Sequence, residues 1–228
     1  MTEAFLHWLG FGLCHQLPER SFFAGGYQLP VCARDTGIYF GFVISLLVIA
    51  AFERGRRGTS LPKPWVLALG GALFAFMVWD GVTSYAGLRQ TTNDLRLLTG
   101  LCAGFALALV VVPLLDSQLW RTSSDGRVLD GARQVLAWIV AIPVSFVLLR
   151  YAAPFLGVVY PLLTAAAILA TFTAVNLVLV LLAPRFERCA VHVRDAWPAL
   201  AIALALAFVE IALAGWLHTV LLGFLRTG

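Results

Sequence analysis

The sequence predicts an all-α fold: a polytopic membrane helix bundle of about six transmembrane helices, preceded by a short N-terminal interfacial helix. Three observations carry this. The 228 residues are 61% hydrophobic and only 12% charged, whereas soluble domains run at about 45–50% and 25%. Six apolar runs reach or approach the length that crosses a hydrocarbon core, about 20 residues. The basic residues gather in alternate loops between those runs. No repeat, low-complexity tract or linker divides the chain. Residues 1–228 therefore read as one membrane domain, with a motif segment at 1–35 and the bundle at 36–225.

In chain order, residues 3–13 are too short to span. They carry His7 and Trp8, which suit headgroup level, so they are expected to lie in the interface. A basic n-region and a small-residue cleavage site are both missing, which argues against a signal peptide. Spans are expected at 36–52, 64–80, 96–115, 132–150, 155–183 and 198–225. The last two are over-long, so tilt or a part outside the lipid is expected.

Arg54, Arg56, Arg57 and Lys63 follow the first span; Arg121, Arg127 and Arg133 follow the third; Arg185, Arg188 and Arg194 follow the fifth. Arg20, Arg34, Arg89, Arg96, Arg150 and Arg226 fall on the other side. The positive-inside rule then places both termini outside an inner (cytoplasmic) membrane. This asymmetry accounts for the net charge of +4 better than a nucleic-acid surface does, because no basic stripe interleaved with aromatics is present. The expected partner is the lipid bilayer.

Polar chemistry concentrates on that expected outer face. Cys14-His15-Gln16-Leu17-Pro18-Glu19-Arg20-Ser21-Phe22-Phe23 leads to Gln28-Leu29-Pro30-Val31-Cys32-Ala33-Arg34-Asp35-Thr36-Gly37, just before the first span. The end of span two and the start of span three bring Asp80, Gly81, Thr83, Gly87, Arg89, Asn93, Arg96 and Thr99 to the same side. Asn93 and Arg96 are three residues apart and share a helical face. Arg20, Arg34, Arg89 and Arg96, with Ser21, Gln28 and Asn93, suit an anionic lipid headgroup or a small anion, because guanidinium donors match phosphate and carboxylate bidentately. Taken singly, the arginines could equally snorkel to lipid phosphates or pair with Asp35, Asp80 and Asp94. Asp80 and His15 are the acid/base candidates.

Cys14, His15, Cys32 and Asp35 offer thiolate, imidazole and carboxylate ligands for zinc or another transition metal. The alternative is a Cys14–Cys32 disulfide, worth about 3 kcal/mol for a loop of this size, with Asp35 capping the first span and His15 at the interface. The sequence leaves both open.

The Cys-His-Gln-x-Pro-x-Arg-Ser-Phe stretch, the Gln-Leu-Pro-x-Cys-Ala-Arg-x-Thr-Gly-Ile-Tyr stretch and the Asp-Gly-x-Thr…Gly-x-Arg…Asn-x-x-Arg-x-x-Thr-Gly stretch resemble a family of small prokaryotic membrane proteins, catalogued as a predicted membrane domain of unknown function. The resemblance covers roughly residues 11–104 and implies a shared site in the first half of the chain, with no reaction attached. Members of that family usually carry Cys where this chain has Asp35, and Gln where it has Ser84.

Glu210 falls near the middle of span six, where a carboxylate costs about 2.5–3.5 kcal/mol on insertion scales, so it should face a partner. Asn176 in span five is a candidate partner. His218, eight residues on, could extend a polar path outward, and a helix–helix clamp is the competing role. Cys102 and Cys189 read as packing residues, and His192-Val193-Arg194-Asp195 as a basic cytoplasmic anchor.

A phosphate-binding glycine loop, Gly-x-Ser-x-Gly and His-Glu-x-x-His are all missing. Asp80-Gly81 with Arg89 lacks the further aspartates of membrane alcohol-phosphatidyl transferases, so that chemistry is set aside. Two function classes remain. One is a membrane enzyme or binding unit acting on an anionic headgroup or small anion at the outer face. The other is a small transporter or channel with the same residues as outer gate, Glu210 and His218 as a deeper coupling site, and a homo-oligomer helping to build the pathway.

Overall fold

The computed structural model describes residues 2–53, 57–122 and 124–227, with side chains through 224. Arg54 and Arg56, counted above in the first basic loop, lie outside the described residues, as does the side chain of Arg226.

The interfacial helix α1 is Thr2–Phe11, followed by a hairpin of β1 (Phe23–Ala24) and β2 (Tyr27–Gln28). Gly25 and Gly26 both take positive φ, +58° and +81°, as a two-residue hairpin turn of this hand requires. The membrane helices are α2 (Ala33–Phe52), α3 (Pro64–Tyr85), α4 (Asn93–Leu119), α5 (Ala132–Val147), α6 (Val159–Leu181) and α7 (Trp197–Thr227). All six are long and apolar enough to cross a membrane, α5 counting its irregular continuation to Leu156. A short parallel pair, β3 (Gly58–Ser60) with β4 (Ser124–Arg127), ties two loops at the opposite end.

The starts of these helices follow from local chemistry. Pro64 opens α3 at a position where a missing N–H costs nothing. The Thr92 hydroxyl caps α4 by accepting from the Leu95 N–H at 3.2 Å. The expected fifth span began at 155, but residues 155–158 belong to the turn between α5 and α6. There the helix loosens into a π turn (Leu148–Ala152), tightens into a 3-10 turn (Ala153–Leu156) and reverses at Gly157, φ +59°. This shortens the over-long expected span, whereas α7 is indeed long at 31 residues.

The hub is α4, of which 72% of the apolar stretch is buried, against 17% for α3 and for α7. Its closest neighbour is α2. Gly37 and Gly41 of α2 face Gly100 and Gly104 of α4 so tightly that a Cβ on Gly100 would run into the Arg34 carbonyl, and one on Gly104 into that of Ile38. Two Gly-x-x-x-Gly pairs therefore let the backbones touch, which in lipid replaces the missing hydrophobic drive with van der Waals contact. One turn deeper, the buried Ser45 hydroxyl donates to the Phe105 carbonyl at 3.3 Å and accepts from Trp138 Nε1 at 2.8 Å, pinning α5 to the same core. Helix α3 packs on α4, α6 on α2 and α4, and α7 on α6; α1 lies across α6 and α7.

The start of α2, the end of α3, the start of α4, the α5–α6 turn and the end of α7 thus meet at one end of the bundle, beside α1 and the hairpin. At the other end, the Arg57 guanidinium stacks 3.7 Å over the Trp120 ring and donates to the Val191 carbonyl. The Asp195 carboxylate there accepts the Val191 and His192 N–H groups. Cys102 is a core packing residue of α4, and Cys189 packs beside Trp120 and Ala196.

Gly100→Leu should lower stability by about 1–3 kcal/mol or more, because the α2–α4 contact has no room for a side chain. Thermal unfolding in detergent checks this. Gly71→Ala, with nothing within 4 Å of the added Cβ, should leave the midpoint unchanged.

Candidate functional site

Asp80, in the last turns of α3, is fully buried. One carboxylate oxygen faces Arg89 and the Thr91 hydroxyl, at 2.8 Å for the latter; the other faces Arg34 at 2.5 Å and the Thr99 hydroxyl at 3.3 Å. A carboxylate has about four lone-pair sites, and donors surround all of them. Arg89 is steadied further by donating Nε–H to Thr83 at 2.9 Å and by lying 4.3 Å over the Trp79 ring. Asp80 was expected to serve as an acid or base. Its geometry is instead that of an ion lock joining α2, α3, α4 and the loop between α3 and α4.

The motif loops are held by amides. Gln16, at φ +50°, donates to the His7 and Pro30 carbonyls at 3.0 and 2.8 Å. Gln28 donates to the Gln16 carbonyl at 2.8 Å and to the Ser21 hydroxyl at 3.0 Å, and Ser21 donates to the Leu17 carbonyl. Ser21 and Gln28, expected to touch a ligand, thus spend these donors on the scaffold. The effect is to draw two distant stretches together at their cysteines.

There Cys14 Sγ, Cys32 Sγ and an Asp35 oxygen all lie within 4.8 Å of one another. Both cysteines are free thiols. The Cys32 thiol lies 3.2 Å from the Asp35 carboxylate, and the Cys32 N–H donates to Cys14 Sγ at 3.3 Å. The hydrogen bond from the Cys32 thiol lowers the Cys14 pKa below the usual thiol value, despite partial burial. The same hydrogen bond, with burial, pushes Cys32 far up. His15, expected as a fourth ligand, is not in this group; its exposed ring lies 6.0 Å from that of His218.

Beside the thiols, positive charge is in surplus. Arg96 donates to the Asn93 side-chain oxygen at 3.0 Å and lies in the field of Arg20 and Arg34, while Asn93 donates to the Glu19 carbonyl. Arg20 sits 5.8 Å over the Tyr85 ring. Among the described residues neither Arg20 nor Arg96 has a carboxylate within salt-bridge reach. The Nε–H of Arg34 is buried without a partner, an orphan donor next to that surplus. Arg150 is different: the π turn delivers it to Asp94 at 2.5 Å.

Deeper in the bundle, the Asn176 side-chain amide donates to the Glu210 carboxylate at 2.8 Å, the pairing expected from the sequence. Glu210 is otherwise exposed on α7. His218 does not continue that path, because its Nδ1 lies 2.6 Å from the Phe11 carbonyl and its ring stacks on Phe11.

Sequence reasoning missed Thr91 and Thr99 as partners of Asp80, Arg150 as partner of Asp94, and Tyr85 beneath Arg20. No local pattern marks these pairings. The paired Gly-x-x-x-Gly spacing was a readable signal for the α2–α4 contact.

Two outcomes test this geometry. Asp80→Asn should cost about 3–5 kcal/mol in detergent unfolding, because two guanidiniums lose their counter-charge in a buried site. In chelator-treated protein, Cys14 should alkylate with a pH midpoint below the ordinary 9.0 of a thiol, since a lowered pKa keeps thiolate present at lower pH. Cys32 should resist through the same range, as peptide mapping would show.

The family model described as "Predicted membrane protein (DUF2085)" matches residues 14–110. An uncharacterised protein of Methanocaldococcus jannaschii is 37% identical over 109 residues, 48% of this chain and 67% of the relative. An uncharacterised protein of Methanothermobacter thermautotrophicus is 39% identical over 99 residues, 43% of this chain and 83% of the relative. No solved structure is a significant match. The matched stretch holds Cys14, Cys32, Asp35, Asp80 and the four arginines around them, and leaves α5–α7 outside it. The chain is thus a member of the DUF2085 family of predicted membrane proteins.

Proposed function

We propose that this protein resides in an inner membrane and that its motif-bearing end, turned outward, binds a phosphate- or carboxylate-bearing molecule beside a transition metal held by Cys14, Cys32 and Asp35. The observation that carries the reading is the excess of guanidinium over carboxylate. Arg20, Arg34, Arg89 and Arg96 converge where Asp80 is the buried counter-charge, and an orphan Arg34 donor remains. An anion would satisfy that donor and the unpaired charges of Arg20 and Arg96, with guanidinium geometry suited to two oxygens at once. An anionic headgroup at the membrane surface and a small dissolved anion share this chemistry.

The metal assignment rests on the donor set. Two thiols and a carboxylate within 4.8 Å suit zinc, which takes sulfur and oxygen ligands and leaves a position open when the protein supplies three. A bound ion of this kind polarises an oxygen ligand and acidifies water. Cys14, Cys32 and Asp35 would hold the ion as they lose their protons on binding it, Gln16 and Gln28 fix the loops that carry it, and Arg20 and Arg96 orient the anion next to it. The outward orientation rests on the charge asymmetry of the sequence, ten of the sixteen Lys/Arg following the first, third and fifth spans.

A transporter reading has one observation in its favour, the Asn176–Glu210 hydrogen bond deep in α6 and α7. Proton-coupled flux in proteoliposomes that vanishes in Glu210→Gln would favour it; flux indifferent to that change would remove the reason to consider it.

The main test is metal content together with anion binding on purified full-length protein. Zinc should bind, and the ion held by the thiol group should be lost in Cys32→Ser. Inorganic phosphate, or phosphatidylglycerol in place of phosphatidylcholine in nanodiscs, should raise the unfolding midpoint, the active arm telling a dissolved anion from a headgroup. The double change Arg20→Gln and Arg96→Gln should weaken that binding at least about tenfold, a loss of about 1.4 kcal/mol. Wild-type and double-variant proteins that respond equally to both anions would overturn the anion site, and a Cys14–Cys32 bond in the isolated protein would overturn the metal.

A further inference from the structure

We infer that His15 and His218 form a second, imidazole-based position for a divalent transition-metal ion, separate from the thiol group and sharing cavities with its Cys14. Three observations converge. First, His218 Nδ1 lies 2.6 Å from the Phe11 carbonyl oxygen. A carbonyl can only accept, so Nδ1 carries a proton, and in the neutral tautomer with that proton Nε2 has the free lone pair. That is the arrangement that prepares a metal-ligating histidine, one nitrogen donating to a backbone carbonyl and the other free for the ion. Stacking on Phe11, with ring centres 4.6 Å apart, holds the imidazole in that orientation.

Second, the His15 ring meets His218 edge-on with centres 6.0 Å apart and planes at 65°. With a metal–nitrogen distance of about 2.0–2.1 Å, two rings can share one ion at close to this separation. Third, Cys14, His15 and His218 line both of two adjoining cavities. One, about 490 Å³, also takes in His7, Gln16 and Glu3; the other, about 320 Å³, is walled by Ala214, Leu217 and Leu221. His15, His218 and Cys14 therefore border the same space.

This placement also explains why His15 turns away from the thiols although it follows Cys14 directly. An ion held by the imidazoles can pass to Cys14, Cys32 and Asp35 by ligand exchange. No electron moves, and each thiol that takes the ion releases its proton to solvent. His15 and His218 are then a loading position for the ion, and this handover rests on the thiol reading above. The imidazole position itself does not.

Equilibrium dialysis of tag-free, full-length protein against zinc alone, and against cobalt alone with absorption recorded, tests it. Wild type should hold an ion at each position. His15→Ala and His218→Ala should each lose the ion that Cys32→Ser retains, while keeping the thiolate-to-cobalt charge-transfer band that Cys32→Ser abolishes. His15 is exposed, so its variant reports on the site even where His218→Ala costs stability by cutting the tie to Phe11. Unchanged metal content in His15→Ala overturns the inference, as does loss of the charge-transfer band in that variant, which would put His15 back among the thiol ligands. Metal binding that depends on His15 and His218, with no thiolate band in wild type, would leave the imidazole position standing and remove the thiol site instead.

Discussion

The buried carboxylate of Asp80 is the point on which this end of the molecule depends. It accepts from Arg34 at the start of α2, from Arg89 and Thr91 in the loop after α3, and faces Thr99 on α4. One anion thus fixes four chain segments at once. A buried ion pair gains little net stability over apolar packing, since desolvation offsets most of the attraction. What it gains is specificity: alternative arrangements of α2, α3 and α4 would leave guanidinium or carboxylate unpaired in a low dielectric. The cost of separation is therefore much larger than the benefit of union, and that asymmetry holds the polar end in one arrangement.

Close backbone approach makes the lock possible. The glycine pairs of α2 and α4 bring the two helix starts together, which sets Arg34 and Thr99 on the same oxygen of Asp80. Ser45 and Trp138 hold the same contact deeper down, where a polar pair must be satisfied internally because lipid offers no partner. The thiol group lies at the same helix start, its Cys14 drawn in by the hydrogen bonds of Gln16 and Gln28 rather than by the crossing. Cys14, Cys32 and Asp35 thereby lie near Arg96, which with Arg20 has no carboxylate within salt-bridge reach among the described residues.

The remaining helices contribute differently. The family match covers the motif segment, α2, α3 and most of α4, the parts that build the lock and the thiol group. Outside it, the α5–α6 turn supplies Arg150 to Asp94, and α7 supplies His218 to the wall of the α1 cavity. Additions beyond the matched segment therefore touch the site at its rim.

Much was legible without coordinates. The apolar runs dictate helices because a backbone in lipid must satisfy its own hydrogen bonds. The polar segments around Cys14–Asp35 and Asp80–Arg96 were expected on one side because spans alternate in direction, and they do meet at one end of the bundle. The Asn176–Glu210 pair was expected because a mid-span carboxylate needs a donor. What the sequence could not decide was the role of each polar group. Whether Asp80 is a base or a lock depends on how many donors surround it, and Thr91, Thr99 and Arg34 arrive from 11, 19 and 46 residues away. The His15 ring stands away from the thiols and 6.0 Å from that of a histidine 203 positions later in the chain, which spacing alone does not reveal. Hydrophobic periodicity is a local property and survives in the sequence; hydrogen-bond saturation is a property of neighbours in space, and only the tertiary structure brings those neighbours together.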